Sequence, residues 1–529
     1  MMMMMCVWLV CGIAWCSQHP HWSKKSVSLL LAYNGREFHG NVANLRDLNR
    51  EQTVDGVLEK AMYHAGCILP SNYGRLDTKS WQHSSRTDKG VSSTFTWVHS
   101  RILVDPSSLA HEPMGDTMCS AINAHLPESV RVFAVMRVPK SFDPRTACIS
   151  RMYEYLLPAR VLAKPISESM PKLKSALSAM EGYKPFHNFT KRSLYRPPAN
   201  AVTRKRSQPD HHSDTKGTET DEAADGDVQA ESDEHNASSD EGDTIDGHIE
   251  MNHQGQPSDD HNRHTQRECT RVTAHDHNGP VRGAVEPGSK TRNWFASWVA
   301  QADPNDLIGH SHFRKVFRFT CGQPRRANGA RSEPVEHSLD ECTISDPEIG
   351  EVYLPITVHG NSFMLHQIRR MVGTAVAVAN GHISMDALEA SMSRPARMLT
   401  PRAPAQALLL TGAEFRTFKV PPQKEEGQMY EPPQKLEVAD DVLEELHRFK
   451  EQVIVPGMLP VLSDQHWDDW TSKLSGFGSE QALTQRQELV DRYMEYKATK
   501  PEHVKTKEEE EKRNRVMQAN KHNVQGVVG

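Results

Sequence analysis

A carboxylate between two cations is the feature of this sequence that could most readily do chemistry. Asp88 lies in the stretch Arg86-Thr87-Asp88-Lys89-Gly90. Glycine permits a sharp or left-handed turn, which would present the carboxylate from a loop. The two cations favour the ionised carboxylate and also suit a phosphate backbone. Two interpretations stay open on these grounds, because an aspartate in a turn often serves only to form that turn, whereas an exposed carboxylate can act as nucleophile or base.

Tyr153 and Arg369 are further candidates, although neither has a role that local physics can assign. Tyr153 lies on a predicted strand, and Tyr155 points to the same face, so alternation does not separate a site residue from a core aromatic. Arg369 lies on a predicted amphipathic helix, where an arginine is usually solvated or extends along the surface.

The strands that must position these side chains are short and irregularly spaced. Residues 26–33 are rich in Val and Leu and end at Asn34-Gly35, which is typical of a strand followed by a turn. Alternating apolar residues predict two more strands, at 130–138 and 152–157.

Three helices are predicted between and after these strands. Thr53 is expected to cap the first, and Ser362 the second, which ends at Gly381. Ser384 is expected to begin the third. Because strands and helices do not alternate as regular βαβ units, the sequence predicts the α+β class.

Composition excludes several kinds of protein. The chain has 529 residues with a net charge of -6, which argues against a uniformly basic nucleic-acid binder but allows a local basic cleft. Nine scattered cysteines without a C-x-x-C pair predict neither a metal site nor a disulfide framework. The apolar run at residues 7–15 is shorter than the roughly 20 residues of a membrane span, and no positive region precedes it as in a signal peptide. We interpret it as an upstream extension.

An acidic segment interrupts the chain. Residues 210–260 contain seventeen Asp and Glu and one Lys, with many Ser, Gly and His, and such a composition predicts disorder. The surrounding region at 193–292 has almost no apolar periodicity, so we interpret it as an insertion into a folded domain.

Ordered motifs along the chain add to this reading. The R-T-D-x-G-V signature of the tRNA pseudouridine synthase A superfamily is matched at residues 86–91, and the chain resembles its eukaryotic pseudouridine synthase 1 branch. Further motifs resemble those of the family in order, at residues 26–35, 38–40, 123–127, 142–145, 151–155, 186–190, 362–373, 403–408 and 449–456. One departure is Asn41-Val42, where the family has Met or Trp and then Gln.

The resemblance implies an RNA-modifying isomerase that converts specific uridines in tRNA to pseudouridine without a cofactor or metal. It implies that Asp88 is the nucleophile or base, with attack at C1′, attack at C6 and a glycal route left open. Arg86 would fill the space left by the flipped base and pair with Asp88, a surface phosphate contact being the alternative. Tyr153 would stack on the uracil, and Arg369 would reach Asp88 or a substrate phosphate.

The implied fold is α+β, with two sheet-based lobes and helices flanking a central cleft. The domain boundaries that we predict comprise an N-terminal extension (1–23), a first lobe (24–148), a second lobe (149–192 and 293–420), a disordered acidic insertion (193–292), a C-terminal helical extension (421–498) and a charged tail (499–529).

The resemblance also sets the expected partners. They are tRNA and, as a second class, other structured RNAs including mRNA, with no DNA and no membrane; we expect a monomer in the nucleus, with the mitochondrion as the alternative. His366 is interpreted as structural or RNA-lining, and His187 and Phe189 as structural. A positive cleft is expected from basic residues near the motifs, namely Lys89, Lys191, Arg192, Arg145, Arg151 and Arg370. The competing hypotheses are an RNA-binding module that has lost catalysis and an interaction scaffold working through the acidic insertion.

Overall fold

The first predicted strand lies inside a large sheet because it is apolar on both faces. This strand, β1, spans Ser23–Tyr33. Val27 and Leu29 belong to one buried cluster, whereas Leu30 and Ala32 belong to a second cluster on the opposite face. A strand with two apolar faces needs a covering layer on both sides of its sheet.

The structure, a computed structural model, describes residues 22–43, 52–75, 81–105, 109, 111–191, 294–299, 308–328, 331–335, 351–419 and 434–499. The predicted extension up to residue 21, the predicted acidic insertion at 193–292 and the tail from residue 500 lie outside the described residues. All of the elements described below belong to one compact unit.

The described strands form one large sheet and one small sheet. Their bounds are β1 Ser23–Tyr33, β2 Gln82–His83, β3 Ser92–Val104, β4 Val130–Arg137, β5 Cys148–Pro158, β6 Gly182–Pro185, β7 Ala296–Trp298, β8 Phe313–Cys321, β9 Arg325–Asn328, β10 Arg331–Pro334, β11 Glu351–Gly360, β12 Ala396–Met398 and β13 Leu408–Phe415. The large sheet runs β10-β9-β11-β5-β13-β3-β1-β4, with β2 on β3, β8 on β11 and β6 on β8, while β7 and β12 pair separately.

One parallel pair decides where the loops of this sheet meet. β13 pairs parallel with β3 through Leu409↔Ser92 and Leu410↔Ser93, whereas it pairs antiparallel with β5 on its other side. Parallel neighbours start at the same end of a sheet. The loop that contains Asp88 and the loop that precedes β13 therefore lie next to each other, although more than three hundred residues separate the two strands.

Helices cover both faces of this sheet. The described helices are α1 Val54–His64, α2 Asp116–Asn123, α3 Pro144–Ala147, α4 Ile166–Ala179, α5 Gln367–Ala379, α6 Met385–Ser391, α7 Asp440–Phe449, α8 Val455–Leu462, α9 His466–Ser475 and α10 Glu480–Thr499. None of the helices in the described part of the chain is long and apolar enough to cross a membrane. The mixture of helices and strands predicted from the sequence is confirmed by this mixed sheet and its helices.

Two of the three predicted helix starts are confirmed. The side-chain oxygens of Thr53 and Ser384 accept hydrogen bonds from the first turns of α1 and α6. The predicted start at Ser362 is wrong, because α5 begins after His366, whose backbone is left-handed with φ of 61°. The chain before it is instead held to β8: the Asn361 side chain accepts hydrogen bonds from the backbone N–H groups of Ser362 (2.8 Å) and Lys315 (3.0 Å).

The C-terminal helices form one of the two covering layers. Leu446 of α7 and Met458 of α8 belong to the same buried cluster as Leu30 and Ala32 of β1. The helices of this layer follow β13 in the chain. Without them, one apolar face of the sheet would be exposed to water.

A matched pair of leucines on α7 tests this packing. Leu446 is 5% exposed and Leu443, on the same helix, is 44% exposed. We expect Leu446→Ala to lower the free energy of unfolding by about 2–5 kcal/mol, because it removes buried methyl groups and leaves a cavity. Leu443→Ala should change it by less than about 0.5 kcal/mol. Urea unfolding followed by circular dichroism measures both; equal effects would show that α7 does not cover the sheet.

Candidate active site

A tight turn after Asp88 sets the shape of the loop between β2 and β3. The N–H of Val91 donates to the Asp88 carbonyl (3.1 Å), and the N–H of Gly90 donates to the Phe38 carbonyl (3.2 Å). Gly90 has φ of +80°, and a Cβ there would lie 3.1 Å from the Gln406 side chain. The left-handed turn predicted from the sequence is thus confirmed, and its glycine allows both the backbone conformation and the close approach of Gln406.

The buried side chain of Asn41 forms two hydrogen bonds with the same loop. Its Nδ2 donates to the Ser85 carbonyl (2.9 Å), and its Oδ1 accepts from the N–H of Thr87 (2.9 Å). The preceding Gly40 has φ of +93°, and a Cβ there would lie 3.1 Å from the Thr87 carbonyl. Asn41 therefore holds the chain on both sides of Arg86, immediately before the candidate nucleophile.

Tyr33, at the end of β1, contacts the same loop through its side chain. Its hydroxyl lies 2.8 Å from Thr87 Oγ1. Burial raises the pKa of Tyr33 to about 12, so the hydroxyl stays protonated and can serve as a donor at neutral pH.

Arg151 clamps the first half of the loop. Its Nε donates to Ser85 Oγ (2.8 Å), its Nη2 to the Ser84 carbonyl (2.6 Å) and its Nη1 to the Asn361 carbonyl (3.3 Å). A guanidinium offers five donors in a rigid plane, which suits it to joining several carbonyls at once. Arg151 thereby ties the Asp88 loop to the segment that leads into α5.

Arg369 brings α5 into direct contact with Asp88. Its Nη1 donates to Asp88 Oδ2 (3.2 Å), and its Nε donates to the Ala403 carbonyl (2.8 Å). Burial lowers the pKa of Arg369, and the Asp88 carboxylate opposes that effect. The side chain of Asp88 is 23% exposed while that of Arg369 is 9% exposed, so the buried cation holds a carboxylate that solvent can still reach.

His366 contacts the same oxygen of Asp88 from the N-terminus of α5. Its Nε2 lies 3.6 Å from Asp88 Oδ2, and Arg402 Nη1 lies 3.2 Å from its Nδ1. Burial, followed by the charges of Arg369 and Arg402, lowers the pKa of His366 to about 2. The imidazole is therefore neutral and the contact is no ion pair. Arginine can only donate, and Arg402 Nη1 lies within hydrogen-bond distance of both ring nitrogens, 3.2 Å from Nδ1 and 3.4 Å from Nε2.

Tyr153 lies on β5 beside this group. It is buried, and its ring meets that of Phe363 edge-on with 5.6 Å between centroids. Burial raises the pKa of Tyr153 to about 12, while a hydrogen bond to Ser85 opposes that shift. Tyr153 and Arg151 thus both contact Ser85 in the Asp88 loop.

The structure brings together three of the four predicted site residues, Asp88, Arg369 and Tyr153. Arg86 is exposed, and within the described part of the chain it forms no ion pair with Asp88. Among the described residues, no group of three or more His, Cys, Asp or Glu side chains could hold a metal ion.

Comparisons with known proteins agree with this arrangement. A family model described as tRNA pseudouridine synthase matches residues 293–416, which include Arg369 and the loop before β13. The chain is similar to this family over these residues.

Relatives of the chain carry names of the same kind. A "tRNA pseudouridine synthase 1" of Candida glabrata is 25% identical over 76% of this chain and 62% of its own length. One of Yarrowia lipolytica is 25% identical over 76% of this chain and 66% of its length. A mouse "Pseudouridylate synthase 1 homolog" is 30% identical over 33% of this chain and 42% of its length. The chain thus spans less than two thirds of the length of these relatives.

Several residues that shape the site were assigned no site role from the sequence. Asn41 was only a departure from the family pattern, Tyr33 only the end of the predicted first strand, and Arg402 had no predicted role. Arg151 and Arg370 were expected in an RNA cleft, but Arg151 holds the Asp88 loop, and Arg370 Nη1 donates to the Thr400 carbonyl (2.7 Å). Arg192, of the same expected cleft, lies outside the described residues.

Asn41→Ala tests whether the two hydrogen bonds of the Asn41 side chain position Asp88. Losing two hydrogen bonds, one of them to a buried carbonyl, is expected to cost about 1–3 kcal/mol of stability. A displaced loop should also slow the uridine isomerisation that the sequence resemblance implies about tenfold or more, since a misplacement of about 1 Å can cost on the order of a hundredfold. Product formation at saturating tRNA, at a temperature where the variant stays folded, measures this effect.

Asn123 supplies a matched control for this prediction. Its side chain makes the same pair of bonds with the backbone of Val132, accepting from the N–H and donating to the carbonyl (both 2.8 Å). Asn123→Ala should lower stability without slowing the reaction. If the two variants react equally fast, Asn41 has only a structural role.

The depressed pKa of His366 predicts a dependence of stability on pH. The unfolded histidine binds a proton near pH 6.5, whereas the folded one binds it only near pH 2. The unfolded state therefore holds more protons between these values, and stability falls as the pH drops below 6.5. Unfolding by urea at pH 7 and pH 5 should show a larger loss for the wild type than for His366→Asn, which accepts the left-handed backbone. An equal loss in both would contradict a neutral His366.

Proposed function

We propose that this protein converts uridine in tRNA to pseudouridine, with the Asp88 carboxylate acting on the nucleotide. The observation that supports this proposal most is how the two oxygens of the Asp88 carboxylate differ in their contacts. Arg369 and His366 both contact Oδ2, whereas Oδ1 has no hydrogen-bond partner among the described residues, and the side chain remains partly exposed. One oxygen is anchored and the other is available to react.

The proposed reaction is an isomerisation in which atoms balance without a co-reactant. The N1–C1′ bond breaks, the uracil turns, and a C5–C1′ bond forms while C5 loses a proton and N1 gains one. Asp88 would attack C1′ or C6, or remove a sugar proton to give a glycal. Because nothing is oxidised and no group is donated, the reaction requires no redox cofactor and no group donor.

Three further residues are proposed to act on the substrate. The target base must leave its stack to reach Asp88, as in other enzymes that work on a base. We propose that the ring of Tyr153 then stacks on the uracil, and its raised pKa keeps its hydroxyl a donor. Arg86 is exposed two residues before Asp88, where it would occupy the place of the flipped base. Arg369 would keep the carboxylate oriented throughout.

The finer architecture that we propose is two sheet-based lobes with a cleft at their junction. In its support, β1 to β4 join the strands from β5 onward only through β3 and β13 among the described elements. The predicted lobe boundaries, at 24–148 and at 149–192 with 293–420, agree with that division. Asp88 and the loop before β13 both lie at this junction.

Asp88→Asn tests the proposed function. The amide keeps the size of the side chain but can neither attack carbon nor accept a proton at that oxygen, so we expect product formation to fall at least about a thousandfold. The measurement is tritium release from tRNA labelled at C5 of uridine. Asp386→Asn, at an exposed carboxylate in the first turn of α6, is the matched control and should retain full activity.

The same assay separates the second candidate, an RNA-binding module that has lost catalysis. Tight tRNA binding by the wild type without any tritium release would favour that module. Equal release by wild type and Asp88→Asn would instead remove Asp88 from the mechanism.

A further inference from the structure

The loop at residues 399–407, called here the clamp loop, connects β12 to β13 and is held through its backbone carbonyls. Two of them accept hydrogen bonds from arginines of α5: Thr400 from Arg370 (2.7 Å) and Ala403 from Arg369 (2.8 Å). The Ala403 N–H donates back to the Arg369 carbonyl (3.1 Å). The clamp loop and the catalytic face of α5 therefore hold each other in place.

The clamp loop also reaches the other group that contacts Asp88. Arg402 Nη1 lies 3.2 Å from His366 Nδ1, which fixes the imidazole whose Nε2 faces the carboxylate. Gln406 packs against Gly90 in the turn after Asp88. A shift of this loop would thus move Arg369, His366 and the turn that carries Asp88 together.

Two further carbonyls of the clamp loop accept hydrogen bonds from aromatic side chains outside α5. The Tyr155 hydroxyl donates to the Pro404 carbonyl (2.8 Å), and the indole Nε1 of Trp470 donates to the Arg402 carbonyl (2.8 Å). Trp470 lies on α9, which is beyond residues 293–416 that the family model matches. Helix α9 is itself anchored by the fully buried Trp467, whose ring meets that of Tyr155 edge-on with 6.3 Å between centroids.

We propose that Trp470 is a positioning residue for the reaction, through which the C-terminal helices hold the Asp88 site in its active geometry. Among the described residues, Trp470 forms no hydrogen bond with Asp88; it bonds to the Arg402 carbonyl. It acts through the Arg402 carbonyl on the clamp loop, and the loop acts on Arg369 and His366. This inference rests on the proposed function, because its effect is on the rate of that reaction.

The kinetic signature follows from this indirect action. Removing the indole N–H leaves the surface that faces RNA unchanged, so the affinity for tRNA should change little. The clamp loop gains freedom, and small misplacements of catalytic groups cost rate rather than binding. We therefore expect kcat to fall about tenfold while KM changes by less than about twofold.

The experiment replaces the Trp470 side chain in the full-length protein in two ways. Trp470→Phe removes the donor and part of the ring. Replacement of Trp470 by 3-benzothienylalanine, introduced by codon suppression, puts sulfur in place of the N–H and keeps the shape, so folding is preserved even where the phenylalanine variant is unstable. Tritium release over a range of tRNA concentrations gives kcat and KM for each variant.

A matched control removes a different contact of the same helix. Asp468 of α9 pairs with Arg160 after β5 and does not touch the clamp loop. Asp468→Asn should leave kcat unchanged, which separates loss of the Trp470 bond from a general loosening of α9.

Coupling gives a second readout that a merely structural role would not produce. The Trp470 bond acts on two branches of the clamp loop, one through Ala403 to Arg369 and one through the Arg402 side chain to His366. The effects on kcat of the benzothienyl replacement and of Arg402→Met should therefore be less than additive, because the two changes share the His366 branch. Wild-type kcat in the benzothienyl variant would overturn the inference while leaving the proposed function intact. An inactive wild type would instead reject the proposed function.

Discussion

The pairing of a buried guanidinium with a partly exposed carboxylate is the interaction on which the site depends. Arg369 is buried in the first turn of α5, and Asp88 Oδ2 is 3.2 Å from its Nη1. A buried charge is costly unless it is paired and its donors are satisfied. Arg369 meets that condition by giving Nε to the Ala403 carbonyl and Nη1 to Asp88. Arg369 is therefore fully paired only when the Asp88 loop and the loop before β13 are both in place. The position of each of these loops thus depends on that of the other.

The sheet satisfies this requirement through the one parallel pair among its described strands. Because β3 and β13 run side by side in the same direction, the loops before them start at one end of the sheet. Side chains from other elements restrain the Asp88 loop further. Asn41 and Tyr33 come from β1 and the turn after it, and Arg151 comes from β5. The loop is thus fixed from neighbours on both sides of the β3–β13 contact, which keeps its carboxylate in place before a substrate arrives.

What the sequence predicted well were features with local causes. The strand at β1, the caps at Thr53 and Ser384, and the left-handed glycine after Asp88 each follow from a few neighbouring residues. The start of α5 was wrong because its determinant is not local: Asn361 is bonded to Lys315 in β8, and no pattern near Ser362 reveals that contact. The closeness of Asp88 and Arg369 followed only from the ordered family motifs. Asn41 and Trp470 were missed because a side chain that bonds a distant backbone carbonyl has no periodicity or motif of its own.

The neutral state of His366 leaves Arg369 as the one cation in contact with Asp88 among the described residues. Arg369, Arg402, Arg370 and Lys191 all lower the pKa of this imidazole, in addition to burial. A protonated His366 would place a second positive charge on the oxygen that Arg369 already holds, and would draw electron density from the oxygen left to react. The neutral imidazole adds no second charge beside Oδ2. The arginines thus have two roles. Arg369 and Arg370 bond α5 to the clamp loop, and the positive charges of the arginines keep the imidazole of His366 uncharged beside Asp88.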